Sequence, residues 1–575
     1  MKLRIALASF VVLVALYPLV LRGLYPLGVG IIAGALAAGT VGFVLLLGYA
    51  HQLALGQAGF CMVGGYASAI LCVNHKWDPM LALLAGAAVA MVVAWAIATP
   101  ILKLRGFVLA MASLALHLIL VVVAFEAPFT GGALGTYGVP KFAIFGMPLT
   151  SDLAYYYFVW LVVLAFVGIG LVIDRSRIGR ALKAIAAAET AALSTGIDIL
   201  RYKVQMFVLS AGMASVCGSL AVHYLRAMDP NVFGFAFSLN FITAVIVGGL
   251  QTVWGGVVGA VLVTGLRELL RGLSLPLWEG VIMGALTVLV LIAFRRGFAG
   301  FISLLYDRST QQRREMRVTV VAPDARALQP TARASALEVI GVSRAFGNLR
   351  AVNSVSFAIT AGSIAALIGP NGAGKTTLFN LICGYQPLDA GRVLVDGRPI
   401  ERRLPNEIAA LGIGRTFQNL QLFDNMTVLE NVMCGRHRFV QREPENRDKA
   451  RAALAFVGLS SAENATPAEL AFGHQRLVEV ARALALEPRL LLMDEPASGL
   501  NDSETERLAE LVLRVAALGA TVLVVEHDMR LVMGLADQIV VMHHGEKIAD
   551  GPPDAIRRER SVIDAYLGGE EPATA

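Results

Sequence analysis

A series of long apolar segments in the first half constrains this chain more than any other feature. Only 16% of the 575 residues are charged and 56% are hydrophobic, whereas about 25% of a soluble domain is charged. A bilayer core requires about 20 apolar residues per helix. Segments of about that length lie near residues 5–21, 28–49, 53–73, 80–102, 107–125, 155–173, 204–225, 236–251, 254–270 and 276–294. This pattern excludes a wholly soluble protein and a disordered chain.

The charges support the same interpretation. Residues 1–305 hold 18 Lys and Arg against nine Asp and Glu, and most of the positive charges lie between apolar segments. Basic loops between spans are typical of the cytoplasmic side of a membrane protein. They therefore favour membrane lipid as the surroundings and argue against a nucleic-acid partner. The loop charges require an even number of spans after residue 203, so we expect the glycine-rich stretch near residue 250 to separate two helices.

These observations predict three regions. Residues 1–304 would form a polytopic α-helical membrane domain of about 8–10 spans. Residues 305–335 lack a sustained apolar period, contain several Pro, Ala and Arg, and would form a flexible linker. Residues 336–575 would form a separate α/β domain.

A phosphate-binding loop is predicted early in that second domain. The strand-like run Ile364–Ile368 leads directly into a GxxxxGKT motif and then into a helix-like segment. The glycines let backbone N–H groups turn toward phosphates, and the helix N-terminus adds partial positive charge. Lys375 would reach the β- and γ-phosphates, and the Thr376 hydroxyl would hold Mg²⁺. The predicted ATP-binding residues are Gly369, Pro370, Asn371, Gly372, Ala373, Gly374, Lys375, Thr376 and Thr377.

Two adjacent carboxylates follow a second apolar strand. Leu490–Met493 ends at Asp494 and Glu495. Asp494 fits the Mg²⁺-side carboxylate of a P-loop NTPase. Glu495 is placed to polarise the attacking water as a general base.

The other motifs of this domain resemble the ATPase of an ATP-binding cassette (ABC) transporter, from about residue 337 to the C-terminus. Gln418 lies at the family's Q-loop position, and the resemblance implies that it contacts Mg²⁺ and the attacking water. His527 lies at the position of the switch histidine and is expected to be catalytic with Glu495 and Gln418. Phe346 lies where the family stacks an aromatic ring on adenine. A packed loop histidine and a core aromatic remain the alternatives for His527 and Phe346.

The signature motif departs from the usual pattern. The resemblance implies that Ala471, Phe472, Gly473 and His474 face the nucleotide of a partner ATPase. The family usually has Ser where this chain has Ala471, and Gln where it has His474. Losing one hydroxyl contact costs about 0.5–1.5 kcal/mol. We therefore expect an asymmetric dimer in which this signature serves the weaker of two sites.

Both halves together resemble Liv-type branched-chain amino acid importers. The permease likeness rests on several short stretches, and the C-terminal Ala565–Gly568 matches the tail of the Liv ATPase. These permease stretches are Gly48–Phe60, Leu104–Gly106, Thr130–Gly132, Ser176–Ile185, Glu189–Gly196 and Arg296–Gly300. Glu189, Ala191, Ala192 and Gly196 have the E-x-A-A-x-x-x-G spacing of the coupling loop. The chain thus looks like one permease fused to one ATPase.

The resemblance implies ATP-driven import of branched-chain amino acids or related small solutes across the cytoplasmic membrane, with the ATPase domain in the cytoplasm. ATP and Mg²⁺ would be required. One chain carries one P-loop and one signature, so it cannot form both ATP sites of a dimer. The implied partners are a second permease, a second ATPase and an extracytoplasmic binding protein that delivers the small-molecule substrate.

Three alternatives remain. The solute could be urea, a short amide or an aromatic carboxylate, as in relatives of the Liv type. The chain could be a homodimeric exporter of lipid or drug, although exporters of that type resemble six long helices that extend far into the cytoplasm. It could also be a membrane-tethered regulatory ATPase, for which ten apolar segments are far more than a tether needs.

Gln52 and Gln57 stand out because they lie in an apolar segment beside Gly56. Unpaired amides are unfavourable in hydrocarbon, so both should face the bundle interior or a cavity. They would either line the substrate path or hydrogen-bond between helices. His117 and His223 carry the same two interpretations.

Overall fold

The computed structural model describes residues 2–20, 23–104, 106–274, 278–293 and 334–567, together with Asp324 and Leu328. Its contacts divide the chain into two units, Met1–Leu182 with Leu200–Arg314, and Lys183–Ile199 with Glu315–Ala575. The predicted linker at 305–335 lies almost wholly outside the described residues, and so do Arg105, Arg296 and Gly568.

The N-terminal half is helical. Its helices are α1 (Lys2–Val20), α2 (Leu24–Val44), α3 (Gln57–Asn74), α4 (Pro79–Leu102), α5 (Gly106–Glu126), α6 (Asp152–Arg175), α7 (Arg177–Ala187), α8 (Glu189–Ser194), α9 (Ile199–Leu225), α10 (Phe235–Gly248), α11 (Trp254–Gly272) and α12 (Glu279–Ala293). Short strands β1 (Thr136–Tyr137) and β4 (Ala227–Met228) pair, as do β2 (Ala143–Ile144) and β3 (Met147–Pro148).

These helices confirm a polytopic apolar domain. Among the described residues, five helices are long and apolar enough to cross a membrane, and three further apolar segments are shorter. Helices suit hydrocarbon because each satisfies its backbone hydrogen bonds internally. The total of about 8–10 spans remains a prediction.

Two interruptions of the helices lie close together. Helix α2 continues into one π-helical turn at Leu45–Tyr49, and α3 begins only at Gln57, so the third predicted segment starts later than expected. The predicted break near residue 250 is present, because α10 ends at Gly248 and α11 begins at Trp254. A Cβ at Gly48 would overlap the Leu250 carbonyl, which shows that the two interruptions are in direct contact.

Helix α11 packs on its neighbours through small residues. Thr40 Oγ1 donates a hydrogen bond of 2.8 Å to the Gly256 carbonyl, which ties α2 to α11. A Cβ at Gly259 would overlap the Ala244 carbonyl of α10. Small residues allow such close approach where no hydrophobic driving force exists between helices in lipid.

The second unit is an α/β fold. Its helices are α13 (Lys375–Ile382), α14 (Pro405–Ala410), α15 (Val428–Gly435), α16 (Glu443–Phe456), α17 (Phe472–Ala485), α18 (Asp502–Ala517), α19 (Met529–Leu535), α20 (Pro553–Ile556) and α21 (Arg560–Leu567). Its strands are β5 (Leu337–Phe346), β6 (Leu349–Ile359), β7 (Ile364–Ile368), β8 (Ala390–Val395), β9 (Arg398–Pro399), β10 (Ile413–Arg415), β11 (Leu490–Asp494), β12 (Thr521–Val525), β13 (Gln538–His543) and β14 (Glu546–Gly551).

The sheet order brings the predicted motifs together. The larger sheet has the order β10-β11-β12-β7-β13-β14, in which only β14 is antiparallel to its neighbour. A second, antiparallel sheet has the order β6-β5-β8-β9. Carboxyl ends of parallel strands meet at one edge, where ligands of open α/β sheets bind. The segments after β7, β10, β11 and β12 carry the P-loop, Gln418, Glu495 and His527 respectively.

We expect Gly259→Ala to destabilise the N-terminal unit, because the added methyl group would overlap the Ala244 carbonyl. Overpacking of this kind costs about 1–3 kcal/mol. Gly265→Ala is the matched control on the same helix, since a Cβ there meets nothing within 4 Å. The measurement is the thermal unfolding midpoint of the purified chain in detergent. Equal midpoints for both variants would contradict close packing at Gly259.

Candidate functional site

A cavity of about 520 Å³ lies at the carboxyl edge of the larger sheet. The cavity is lined by the P-loop and by residues from the end of β5, β6, the Q-loop, the segment after β11 and the β13–β14 turn. The lining residues are Phe346, Leu349, Arg350, Ala351, Asn371, Gly372, Ala373, Gly374, Lys375, Thr376, Thr377, Gln418, Glu495, His544 and Gly545. His544, Arg350 and Leu349 were not predicted, because only the tertiary fold brings them beside the P-loop.

The P-loop is shaped for an anion. Gly374 has φ 94°, and a Cβ there would overlap the Ala351 carbonyl, so the tight turn requires glycine. At Gly372 a Cβ would meet nothing within 4 Å, which leaves open space above the loop. Lys375 Nζ donates to the carbonyls of Gly369 at 2.6 Å and Pro370 at 3.0 Å. Burial lowers the pKa of Lys375, while Glu495 and Asp494 oppose this shift.

Asp494 ends β11 and is almost completely buried. Burial raises the pKa of its carboxyl, and the guanidinium of Arg415 opposes this, with Arg415 Nη2 at 3.3 Å from Asp494 Oδ2. Its other oxygen, Oδ1, has no hydrogen-bond partner in the described structure. One carboxylate oxygen therefore remains available to a cation.

The three residues expected to be catalytic lie together. Gln418 Nε2 donates to Glu495 Oε2 at 2.9 Å, and His527 Nδ1 lies 3.9 Å from the same oxygen. Glu495 has φ 43°, a conformation that is unfavourable for a residue with a side chain. Its amide donates to the Val525 carbonyl at 2.9 Å, which fixes it beside the end of β12. The His527 side chain is 61% exposed, so it is not a packed loop histidine.

Glu526 is a buried carboxylate whose role the sequence did not reveal. Its oxygens accept hydrogen bonds from the amide of Ala497 at 2.8 Å and the amide of His527 at 3.2 Å. Burial raises its pKa, and these two amides oppose the shift. Glu526 thereby connects the segment after Glu495 to the strand end that carries His527.

A second unpredicted group is the buried set Arg476, Glu479 and Arg482 on α17. Arg476 donates to the carbonyls of Phe417 at 2.5 Å, Gln418 at 2.9 Å and Glu495 at 3.3 Å. Glu479 accepts from the Phe417 amide at 3.2 Å. The spacing of charges along a helix could have indicated an ion pair, but not its contacts with residues about 60 positions earlier.

The side chains present fit a magnesium–nucleotide complex. Mg²⁺ prefers oxygen ligands and shares them with phosphates. Oxygens of Thr376, Gln418 and Asp494 are the predicted ligands, and Thr376 and Gln418 line the cavity. The unpartnered Oδ1 of buried Asp494 is the observation that supports the fit.

Phe346 lies at the mouth of the cavity. Its ring is 43% exposed, and the Arg344 guanidinium lies 5.0 Å from the ring centroid. Arg344 is held in turn by Asp389 at 2.6 Å. An exposed ring fixed on one face can stack a planar base on the other, whereas a core aromatic would be buried.

The signature residues surround the start of α17. Ala471 is the N-cap with φ −63° and ψ 154°, and it makes no side-chain capping bond. A Cβ at Gly473 would overlap the Glu504 carboxylate. The Phe472 ring is 47% exposed and packs against Gly499. Ala471, Phe472 and half-buried His474 therefore lie at an accessible surface beside a helix N-terminus.

The predicted coupling loop belongs to the ATPase unit. Residues Lys183–Ile199 group with this unit, and α8 packs on α14. Ala191 and Ala192 have no solvent exposure. Gly196 has φ 82°, and a Cβ added there would lie 3.6 Å from the Arg438 side chain. We call Lys183–Ile199 the docking segment.

The buried polar residues of the N-terminal unit differ in their bonding. His223 is satisfied, with Ser68 Oγ at 2.9 Å from Nε2 and the Pro140 carbonyl at 2.9 Å from Nδ1. The side-chain nitrogens and oxygens of Gln52 and Gln57 have no hydrogen-bond partner within the described ranges, whereas the His117 ring approaches the backbone of Gly234. Hydrogen bonding between helices therefore describes His223 but not the two glutamines.

Sequence profiles of known families match most of the chain. A profile for a branched-chain amino acid transport system permease component matches residues 26–291, and a profile for ABC transporters matches 352–498. A third profile, for branched-chain amino acid ATP-binding cassette transporters, matches residues 546–572.

Known proteins resemble the second half. The chain is 40% identical over 248 residues to the high-affinity branched-chain amino acid transport ATP-binding protein BraF of Pseudomonas aeruginosa, covering 40% of this chain and 97% of BraF. The identity and both coverages are the same for the high-affinity branched-chain amino acid transport ATP-binding protein LivG of Escherichia coli strain K12. The crystal structure of a nucleotide-free ATP-binding cassette from an ABC transporter is 32% identical, covering 41% of this chain and 99% of that one, with a TM-score of 0.38.

We expect Ala471→Ser to raise ATP turnover in the assembled protein. Serine at this N-cap would supply the hydroxyl that the usual signature places on the partner's nucleotide, worth about 0.5–1.5 kcal/mol. Serine also caps a helix better than alanine. Ala471→Asp separates the two effects, because aspartate caps the helix but repels phosphate and should lower turnover. If Ala471→Ser leaves turnover unchanged, the expected asymmetry has no basis.

Proposed function

Because the chain belongs to the Liv-type branched-chain amino acid ABC transporter family, with a permease region and an ATPase region in one polypeptide, we propose that it imports branched-chain amino acids or related small solutes. It is a multi-pass protein of the inner membrane with its ATPase on the cytoplasmic side. It binds ATP and couples ATP hydrolysis to transport. What we propose is the direction of transport, the transported solute and the roles of the individual residues.

The docking segment supports import most directly. It is a short excursion between α6 and α9, and its E-x-A-A-x-x-x-G residues pack into the ATPase unit. The longest described helix of the N-terminal half has 27 residues, about 40 Å at 1.5 Å per residue. This length matches a span and leaves no room for the long cytoplasmic extension expected of an exporter.

Chemistry at the ATP site follows from the positions of its side chains. Lys375 would neutralise the β- and γ-phosphates, while Phe346 would stack on the adenine. Thr376, Gln418 and Asp494 would hold Mg²⁺, which supplies charge neutralisation when bound. Glu495 would take the proton of the attacking water, held in place by Gln418 and next to His527. Turnover requires the signature of a second ATPase, since one chain supplies one P-loop and one signature.

The first test is uptake of labelled leucine into proteoliposomes that contain this chain, its partner permease, its partner ATPase and a binding protein. We expect uptake that depends on ATP and Mg²⁺. Glu495→Gln should abolish hydrolysis and uptake while ATP still binds, because only the general base is lost. Unlabelled isoleucine, urea, acetamide and benzoate as competitors identify the solute class. Hydrolysis by the chain alone, unchanged by the partners, would instead support the homodimeric exporter.

The unpartnered amide of Gln57 would contact the solute during transport. Gln57→Leu removes a buried polar group without a partner, which costs about 1–3 kcal/mol when left unsatisfied. We therefore expect unchanged or higher thermal stability, unchanged basal ATP hydrolysis and strongly reduced uptake.

Thr40→Val is the matched control for this experiment. It removes an existing interhelical hydrogen bond to Gly256, so stability should fall while uptake per folded protein persists. If Gln57→Leu instead loses stability and keeps its uptake, Gln57 is a structural residue.

A further inference from the structure

Tyr385 contacts the docking segment through a hydrogen bond. It lies three residues after α13, the helix that begins with the P-loop lysine. Its hydroxyl donates to the Thr190 carbonyl at 2.8 Å, and the Ser194 side chain approaches the same hydroxyl. Thr190 and Ser194 both belong to α8, so a displacement of this helix must act on the phenol ring.

The ring of Tyr385 is one wall of an aromatic cage around a single cation. The Arg415 guanidinium carbon lies 4.9 Å from the ring centroids of Tyr385 and Phe379 and 5.0 Å from that of Phe417. The side chain of Arg415 is only 6% exposed. Arginine over aromatic faces is attracted by their quadrupoles, and more strongly when desolvated.

Arg415 also reaches the metal-side carboxylate. It is the last residue of β10 and lies opposite Leu492 of β11. Asp494 is two positions further along β11 and therefore on the same face of the sheet. The resulting ion pair joins Arg415 Nη2 to Asp494 Oδ2 at 3.3 Å.

The bonding of this cation is incomplete. Arg415 Nε and Nη1 meet no hydrogen-bond acceptor of normal geometry in the described ranges, and the Cys383 thiol is a neighbour. A buried guanidinium with unused donors can exchange partners when its surroundings move. The aromatic cage holds the Arg415 guanidinium in place but supplies no acceptor for its Nε and Nη1 donors.

We propose that Arg415 is a positioning residue that transmits the position of the docking segment, through Tyr385, to Asp494. This inference rests on the proposed function, because it assumes that the docking segment reports the state of the permease. Movement of α8 displaces the Tyr385 ring, and Arg415 then tightens or releases its hold on Asp494. Mg²⁺ binding and hydrolysis would thus respond to the loaded permease.

This connection is separate from Gln418. The Gln418 amide contacts Glu495, the general base, at 2.9 Å. Arg415 contacts Asp494, a different carboxylate, and does not line the cavity. The two paths leave the same strand end and reach different carboxylates, so they can be tested separately.

The experiment uses the complete assembly in lipid nanodiscs, with leucine-loaded binding protein as the stimulus. Tyr385→Phe keeps the ring on Arg415 but loses the hydroxyl contact to Thr190. We expect its basal kcat and its KM for ATP to be unchanged, and its stimulation to fall at least threefold. Arg415→Lys keeps the charge but loses the planar stacking. We expect it to lose stimulation and to raise the Mg²⁺ concentration for half-maximal basal turnover at least threefold.

A control and a double variant separate transmission from docking. Asn425 also holds the docking segment, since its Nδ2 donates to the Lys183 carbonyl at 3.0 Å. Asn425→Ala should therefore weaken stimulation less than Tyr385→Phe. The double variant Tyr385→Phe/Arg415→Lys should be no worse than Arg415→Lys alone, because both changes interrupt one path.

Three results would overturn the proposal. They are full stimulation of Tyr385→Phe, equal losses in Asn425→Ala and Tyr385→Phe, and additive losses in the double variant. A wild-type assembly without any stimulation would refute the proposed function instead. The transmission is then judged on the Mg²⁺ requirement of Arg415→Lys, and an unchanged requirement would overturn it.

Discussion

Glu479 has no solvent exposure and lies between two guanidinium groups, 2.9 Å from Arg476 Nη1 and 3.7 Å from Arg482 Nη2. Burial raises the pKa of this carboxyl, and the two arginines oppose the shift. Removing one member of such a buried ionic set typically costs about 3–5 kcal/mol, because an uncompensated charge remains. The Glu479 carboxylate also fixes Phe417 through its amide, and Arg476 fixes the carbonyls of Gln418 and Glu495. The geometry of the nucleotide site therefore depends on charges that never touch the nucleotide.

The N-terminal unit is organised by a different constraint, the close approach of backbones. Gly256 and Gly259 bring α11 against α2 and α10, and Gly48 brings one helix interruption against another. Irregular backbone at membrane depth is tolerated where it is buried in protein or lines a cavity. Gln52 and Gln57 lie in and beside the first interruption with unpartnered amides. Unpartnered polar groups thus lie at the breaks of a packed glycine framework, as the proposed solute path requires.

Local patterns predicted much of this molecule. The apolar segments, the glycine break near residue 250, the P-loop and the two carboxylates after β11 can each be recognised within a short stretch of sequence. Glu526, Glu479 and Arg415 could not be recognised, because their partners lie on other strands and helices. A buried charge has meaning only through the groups that compensate it. The late start of α3 was missed because Leu53–Leu55 are apolar, whereas the Leu55 amide donates to Ser113 Oγ of α5 at 2.9 Å and not to a helix carbonyl.

Fusion changes the energetics of docking. BraF and LivG are matched over 97% of their length by 40% of this chain, whereas here an ATPase region shares its polypeptide with a permease region. Linking two partners makes their association intramolecular, with an effective concentration of the order of millimolar for a short flexible linker. A linker of this kind would let the docking segment meet the ATPase of its own chain at a higher effective concentration than that of free copies. The second ATPase of a dimer has no such advantage unless it is fused as well.

An assembly with one tethered and one free ATPase would be asymmetric in docking, and a signature with Ala471 would add asymmetry in ATP binding. Both features would then assign regular turnover to one site and a supporting role to the other.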